Sequence, residues 1–278
     1  ITVDAGGLIT ATDVVASGVS GDSVTLSTTT GGAVATLVTG ADAVSITANA
    51  GDITIGSVTA TLGTLGVTAT AGSINDAADD NTADFTAGGL ISLTAQDEIG
   101  VLGSGSDLDL EFAAGSSVNV STTGTGAIDL DGLGALTLID VDTVNGAITA
   151  SSAGALTVTD VASGTNGNIV LSTSSGDITG LATVNAGSGN VTLNSAGAIV
   201  DDGSSGTVIT GGVLTADAAG AITIDSTVTS ANISTSAAGA VDLDESDAIT
   251  LTDVDTNDGS ITVDAGGLIT ATDVVASG

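Results

Sequence analysis

Carboxylates are the only side chains in this chain that can carry charge: 33 Asp and Glu stand against no Lys, Arg or His, a formal net charge of −33. Two related segments space them as a cation site would. DVDTNDG offers Asp253, Asp255, Asn257 and Asp258, and DVDTVNG offers Asp140, Asp142 and Asn145. Ca²⁺ takes about six to eight oxygen ligands, and D-x-D-x-N has the form of the first half of an EF-hand loop. Gly259 falls one place late for such a loop, and Asp264 stands where a bidentate Glu would be. These seven residues are candidate calcium ligands, Ca²⁺ being the one cofactor the sequence suggests. The competing reading is that Asp-Gly and Asn-Gly simply turn corners. A second acidic cluster, Asp76, Asp79, Asp80 and Asp84, lies in SINDAADDNTADF. Three sequons (Asn119, Asn190, Asn232) and several Thr-x-Thr pairs, such as Thr68/Thr70, are expected from a chain this rich in Ser and Thr.

Catalysis is disfavoured by what is missing. A pair of carboxylates can in principle hydrolyse a glycoside. Stabilising an oxyanion, binding a uronate or stacking on a sugar ring falls to Arg, Lys, Tyr and Trp, and this chain has none of them. The expectation is a protein that is not an enzyme.

The surrounding elements follow from composition. Hydrophobic residues make up 42% of the chain, enough for a core, but Phe85 and Phe112 are the only aromatics and Met is absent. A core of Ala, Val, Ile and Leu must be thin, since wide interiors also use aromatics and Met. The 41 Gly suit repeated corners, and the lack of Pro suits a backbone whose N–H groups are needed for ladder bonds. Nucleic acid is excluded as a partner, because no cation is available to displace counterions from phosphate. No apolar run approaches the length of a membrane span, so no membrane insertion is expected in this segment. With no Cys, disulfides can neither staple the fold nor report the compartment. The chain opens inside a strand pattern without an initiator Met, and reads as a window on something longer.

Ala135–Gly167 shows the building unit. ALTLIDV and ALTVTDV place a branched apolar residue at every second position (Leu136, Leu138; Leu156, Val158) with Thr between, AITAS lies between them, and the third strand, from Ala155, copies the first, from Ala135. That is the period of a half-buried strand. A unit that buries one face must stack on its neighbours. The expected fold is all-β: a single-stranded parallel β-helix (β-solenoid) of about 12–13 rungs with about 20–22 residues each, continuous over 1–278 and without helix. Residues 1–18 are identical to residues 261–278, so a 260-residue unit repeats in tandem. Within it, 135–164 aligns with 248–277 at an offset of 113, matching Asp140 to Asp253 and Gly146 to Gly259. Residues 73–90 and the related 198–212 break the rhythm as loops bulging from a corner. Ser, Thr and Asn should stack in ladders near the corners.

Rungs about 4.8 Å apart make one repeat on the order of 60 Å long. Its charge is then about one per 1.8 Å, close to the axial density of duplex DNA. Such a column must respond to salt and divalent ions. It also offers trypsin no cleavage site.

The recurring G-x-[IV]-T-[LIV] segments GDITIG, GAITAS, GNIVLS, GDITGL, GNVTLN and GAITID, together with GSINDAADDNT and GAIVDDGSSGT, resemble the repeats of filamentous-haemagglutinin-type bacterial surface adhesins and exoproteins. The resemblance covers nearly the whole chain. It implies a right-handed coil, a secreted or cell-surface location in a bacterium, and a stalk that holds a binding tip away from the cell. The absence of basic and aromatic residues and the near-perfect duplication depart from that family's pattern and favour a stalk over a tip. The resulting expectation is a structural stalk or filament segment of a very long extracellular fibre. Its partners would be adjacent copies of the repeat, joined end to end and associating laterally. The alternative is a calcium-dependent module that binds carbohydrate or itself.

Overall fold

Alternation of branched apolar residues with Thr and Ser builds strands whose inward positions are sealed. In Val24–Thr28, Val44–Ala48, Leu65–Ala69 and Ile91–Ala95 the first, third and fifth residues are all buried. The computed structural model describes residues 1–278 except 19–20, 79, 104–106, 113–115, 207 and 278, and no helix occurs among the described residues. Parallel strands stack as a β-solenoid of about 13 turns with about 21 residues per rung, as the strand period requires. The chain divides into two units, Ile1–Gly146 and Ala147–Gly278.

In the first unit the rungs visit three columns of strands, the second of which continues past Asp76 only as single bridges at Ile99 and Ile128. One runs through Thr2–Ala5, Val24–Thr28, Val44–Ala48, Leu65–Ala69, Ile91–Ala95 and Val118–Thr122. A second runs through Ile9–Ala11, Ala33–Ala35, Ile53–Ile55 and Ile74–Asp76. The third runs through Val14–Ala16, Val38–Gly40, Val58–Ala60, Phe85–Ala87, Leu108–Phe112 and Ile128–Gly132. Registers set like on like: Val24 pairs Val44 and Val44 pairs Leu65, across rungs of ordinary length. Leu65 then pairs Ile91, and Ile91 pairs Val118, each across a visibly longer piece of chain. Both long rungs keep strands in the first and third columns, and the second of them meets the middle column only at a single bridge, Ile99. Each sealed Val, Leu or Ile contributes about 1.5–3 kcal/mol of apolar burial, which a neighbouring rung must help to complete.

The second unit repeats the scheme through Ile148–Ser152, Ile169–Thr173, Val191–Ser195 and Ile209–Ala218. Turning a corner frees a backbone carbonyl that needs a donor. A buried hydroxyl at the last inward position supplies it. Thr173 donates to the Gly176 carbonyl at 2.9 Å, Ser195 to Ala198 at 2.9 Å and Thr256 to Gly259 at 2.7 Å. In the first unit Thr143 donates to Gly146 at 2.8 Å. The residue before a strand does the complementary job with an acceptor. Asp177 Oδ1 accepts the Ala198 N–H at 2.7 Å and Asn168 Oδ1 accepts that of Asn190 at 2.9 Å. In the first unit Asp52 Oδ1 accepts the Ser73 N–H at 2.9 Å. The Asp and Asn of GDIT and GNIV thus join one rung to the next, and hydroxyl meets hydroxyl across rungs at Thr173 and Ser195 and at Thr94 and Ser121, each at 3.4 Å.

The Gly of the same motif is required by close approach. A Cβ on Gly239 would lie 2.5 Å from the Gly220 carbonyl carbon, and one on Gly259 would lie 2.2 Å from the Gly239 oxygen. Backbone cannot yield as a side chain can. Gly239→Ala is therefore expected to destabilise the second unit by about 1–3 kcal/mol, read as a lower urea midpoint at unchanged slope. A midpoint equal to that of the unaltered protein would show that the corner has room.

Both sequence duplications recur as geometry. At the offset of 113, Asn119 pairs Asp140 and Ser121 pairs Asp142, just as Asn232 pairs Asp253 and Ser234 pairs Asp255. The same register shift precedes each. The identical termini build the same strands, Ile9–Ala11 with Val14–Ala16 and Ile269–Ala271 with Val274–Ala276. The two corner loops are shorter than the expected 73–90 and 198–212, since Ile74–Asp76, Phe85–Ala87, Ile199–Asp201 and the start of Ile209–Ala218 are strands. They are nevertheless alike: Asp80 Oδ1 accepts the Thr82 N–H at 2.8 Å, and Asp202 Oδ1 accepts that of Ser204 at 2.9 Å. These bonds hold both exposed carboxyls below the usual range, the Thr82 hydroxyl leading at Asp80 and the Ser204 amide at Asp202.

Candidate functional site

The two long rungs of the first unit converge on an acidic corner. Phe85 pairs Leu110, so Asp84 and Asp109 stand side by side on neighbouring rungs, and Asp109 pairs Asp131 on the next. The backbone binds the first pair in both directions: the Asp109 N–H donates to Asp84 Oδ2 at 3.0 Å, and the Asp84 N–H donates to the Asp109 carbonyl at 3.0 Å. Asp107 enters from the preceding corner. One carboxylate oxygen from each of Asp107, Asp109 and Asp131 lies within 4.8 Å of the other two. Nearby, Asp129 Oδ2 accepts the Gly103 N–H at 3.3 Å.

Burial here is unusual for carboxylates. Asp84 is 2%, Asp109 1% and Asp129 8% exposed, and no hydrogen-bond donor reaches either side-chain oxygen of Asp109 among the described residues. Burial disfavours the charged form. It pushes Asp84 up to about 8, against the opposing pull of the Asp109 amide and with help from the Asp76 charge. It pushes Asp109 up to about 7, reinforced by Asp107 and Asp131. Asp129 rises to about 6, again chiefly by burial and against the Gly103 amide. With no Lys, Arg or His in the chain, only a proton or a cation from solution can neutralise this corner.

Of the acidic residues that sequence spacing singled out, Asp76, Asp80 and Asp84 belong to this neighbourhood, while Asp79 lies outside the described residues. Asp107, Asp109, Asp129 and Asp131 are not suggested by spacing. In LDLEF and IDLDG each Asp alternates with Leu or Ile and so looks like an outward strand position, yet Asp109 and Asp129 are buried between buried neighbours. The available signal was the stretching of two successive rungs, from Leu65 to Ile91 and from Ile91 to Val118.

The seven candidate calcium ligands sit differently. Asp253, Asp255, Asn257 and Asp258 are all exposed. Asn257 Nδ2 donates to the Ser236 carbonyl at 3.0 Å, tying its corner to the rung before. Asp140, Asp142 and Asn145 are half-buried, and Asp140 Oδ2 accepts from Asn119 Nδ2 at 3.3 Å. Asp107, Asp109 and Asp131 are the only set of three carboxylates that converges among the described residues.

One buried acid remains, in the second unit. Glu245 is 4% exposed at the last inward position of Val241–Glu245, beside a groove of about 450 Å³. Burial raises its carboxyl. Its oxygens are nevertheless satisfied, accepting from the Ser226 hydroxyl at 2.7 Å, the Val228 N–H at 3.0 Å and the Asp247 N–H at 3.3 Å. Glu245 closes its corner by accepting from backbone N–H groups, the converse of the Thr and Ser hydroxyls that donate to carbonyls elsewhere.

Fold and side chains together define a class: an acidic parallel β-solenoid, with one concentrated carboxylate site in its first unit. No protein-family model, curated protein or solved structure matches the chain.

Proposed function

We propose that this chain is a structural stalk segment of a long extracellular or cell-surface fibre, without catalysis, whose task is to supply length. The observation that carries the reading is that residues 1–18 and 261–278 are identical and build the same strands. A fold whose rungs bond only to adjacent rungs, and whose sequence returns at Ile261 to the rung it began with at Ile1, can be extended by repetition without a new kind of interface. The partners on this reading are further copies of the repeat, joined end to end. The wholly acidic surface supports it, since like-charged columns stay apart in solution and respond to added salt.

Chains of one, two and three tandem repeats test it. Small-angle scattering should show the largest dimension rising linearly, by about 60 Å per unit at the spacing of stacked strands. A dimension that stays nearly constant as units are added would overturn the stalk. Calcium-dependent capture on a glycan array, or calcium-dependent dimerisation of a single unit, would instead support the calcium-dependent module.

A further inference from the structure

We propose that the acidic corner of the first unit binds one hard divalent cation of the Ca²⁺ class between Asp107, Asp109 and Asp131. Three observations meet there. The three carboxylates converge to within 4.8 Å of one another, a span that oxygens about 2.4 Å from a shared ion can bridge. Asp109 is 1% exposed, and both its carboxylate oxygens are without a donor among the described residues, although one of them belongs to the convergent set. Leaving an ionised carboxylate buried and unpaired is among the most costly arrangements a fold can hold, and this chain has no basic side chain to relieve it. The rungs that carry Asp84, Asp107 and Asp109 are also the two long ones, from Leu65 to Ile91 and from Ile91 to Val118.

The chemistry is that of an oxygen-only, anionic site. Asp107 reaches it from a corner, and Asp109 and Asp131 from paired positions on stacked strands. Asp84 stands behind Asp109, its Oδ2 already taken by the Asp109 amide, and so acts as a positioning residue. The remaining coordination falls to water, as Ca²⁺ sites allow. This site is distinct from the DVDTNDG and DVDTVNG loops, and it does not depend on the stalk reading: a bound ion would pin adjacent rungs together whatever the column is for.

Calorimetric titration of the full chain with CaCl₂ in about 150 mM NaCl tests the proposal, because salt at that level suppresses diffuse counterion association by a highly charged column. The expected result is one saturable site per chain. Asp109→Asn and Asp131→Asn should each weaken it at least tenfold, while the double variant Asp253→Asn/Asp255→Asn should leave it unchanged. Both corner variants remove a charge while keeping shape, and circular dichroism confirms that they fold. Should one fail to fold, the other decides. Heat that never saturates, or a saturable site unaffected by the corner variants, would overturn the proposal. Loss of the site in the Asp253/Asp255 variant would overturn it too and move the ion to that loop. Linear growth of tandem units with no calcium site would refute this inference and leave the stalk standing.

Discussion

Phe85→Ala is expected to cost the first unit about 3–5 kcal/mol, the usual toll for emptying a fully buried aromatic site. For a unit of this size that corresponds to a fall in melting temperature of roughly 10 °C. Phe85 is 0% exposed and the largest of the sealed side chains. It stacks between Val58 and Leu110 on adjacent rungs, both also 0% exposed. A thin solenoid interior has few atoms with which to refill the gap, because each rung sends inward only small and branched residues. The damage should be local, since a rung is coupled to its neighbours and not to the whole. Native-state hydrogen exchange should therefore quicken most around Val58, Phe85 and Leu110. Leu62→Ala, at a side chain 66% exposed, serves as control and should change stability by less than about 0.5 kcal/mol. A melting shift below about 2 °C for Phe85→Ala would mean that the core is not packed as described.

The second large effect is a dependence on pH opposite to ordinary acid denaturation. In a chelating buffer the first unit should lose stability as pH rises from about 5.5 to 7.5. Asp84, Asp109 and Asp129 are raised to about 8, 7 and 6, above the value of about 3.9 for Asp in an unfolded chain. Between those limits the native state holds more protons than the unfolded state, so stability falls with increasing pH. The contribution is complete below the unfolded value and is lost as pH climbs through each raised one. The groups bearing on the trio are the carboxylates of Asp76, Asp80, Asp107 and Asp131, and no basic side chain opposes them. Ordinary carboxylates have finished titrating by about pH 5.5, and the chain has no His or Cys to titrate above it. The other carboxyls that burial raises, Asp225 and Glu245, lie in the second unit, so the window isolates the corner when it is read on the first unit. The loss across it should be on the order of 5 kcal/mol, since about two extra protons are held on average over two pH units at about 1.4 kcal/mol per proton per unit. Asp84→Asn should flatten much of the slope while the protein remains folded. A melting temperature constant or rising across the window would show these carboxyls to be ionised and satisfied.

Sequence reading and structure agree most closely where the physics is short-ranged. Leu136 and Leu138, or Leu156 and Val158, announce an inward face by their spacing alone, and the burial of all four follows from the geometry of one strand. The corner hydroxyls are nearly as legible. Thr143 and Thr256 lie three residues before a Gly in sequence, and the bond each makes spans only that distance. The Asp and Asn ahead of strands were visible as residues, but their function was not. Asp177 can be read as a turn former, whereas its acceptor bond goes to Ala198 on the following rung.

What the amino-acid sequence determined by itself is the repeating element: a strand period, Gly corners, a thin aliphatic interior, and hence parallel stacking, since a one-sided rung has nowhere else to hide its apolar face. What only the tertiary structure decided is which distant residues become neighbours. Asp84, Asp109 and Asp131 lie far apart along the chain at unequal intervals and share no motif, yet they stand in line because rung length sets the register. Rung length depends on how each corner folds, a choice made by packing against the rungs above and below. Corners absorb such differences without turning the next strand over: Val38 to Val44 is six residues and Val58 to Leu65 is seven, yet Val44 and Leu65 pair and both face inward. Local pattern can therefore name the strands, while the meeting of Asp107, Asp109 and Asp131 exists only once the rungs have stacked.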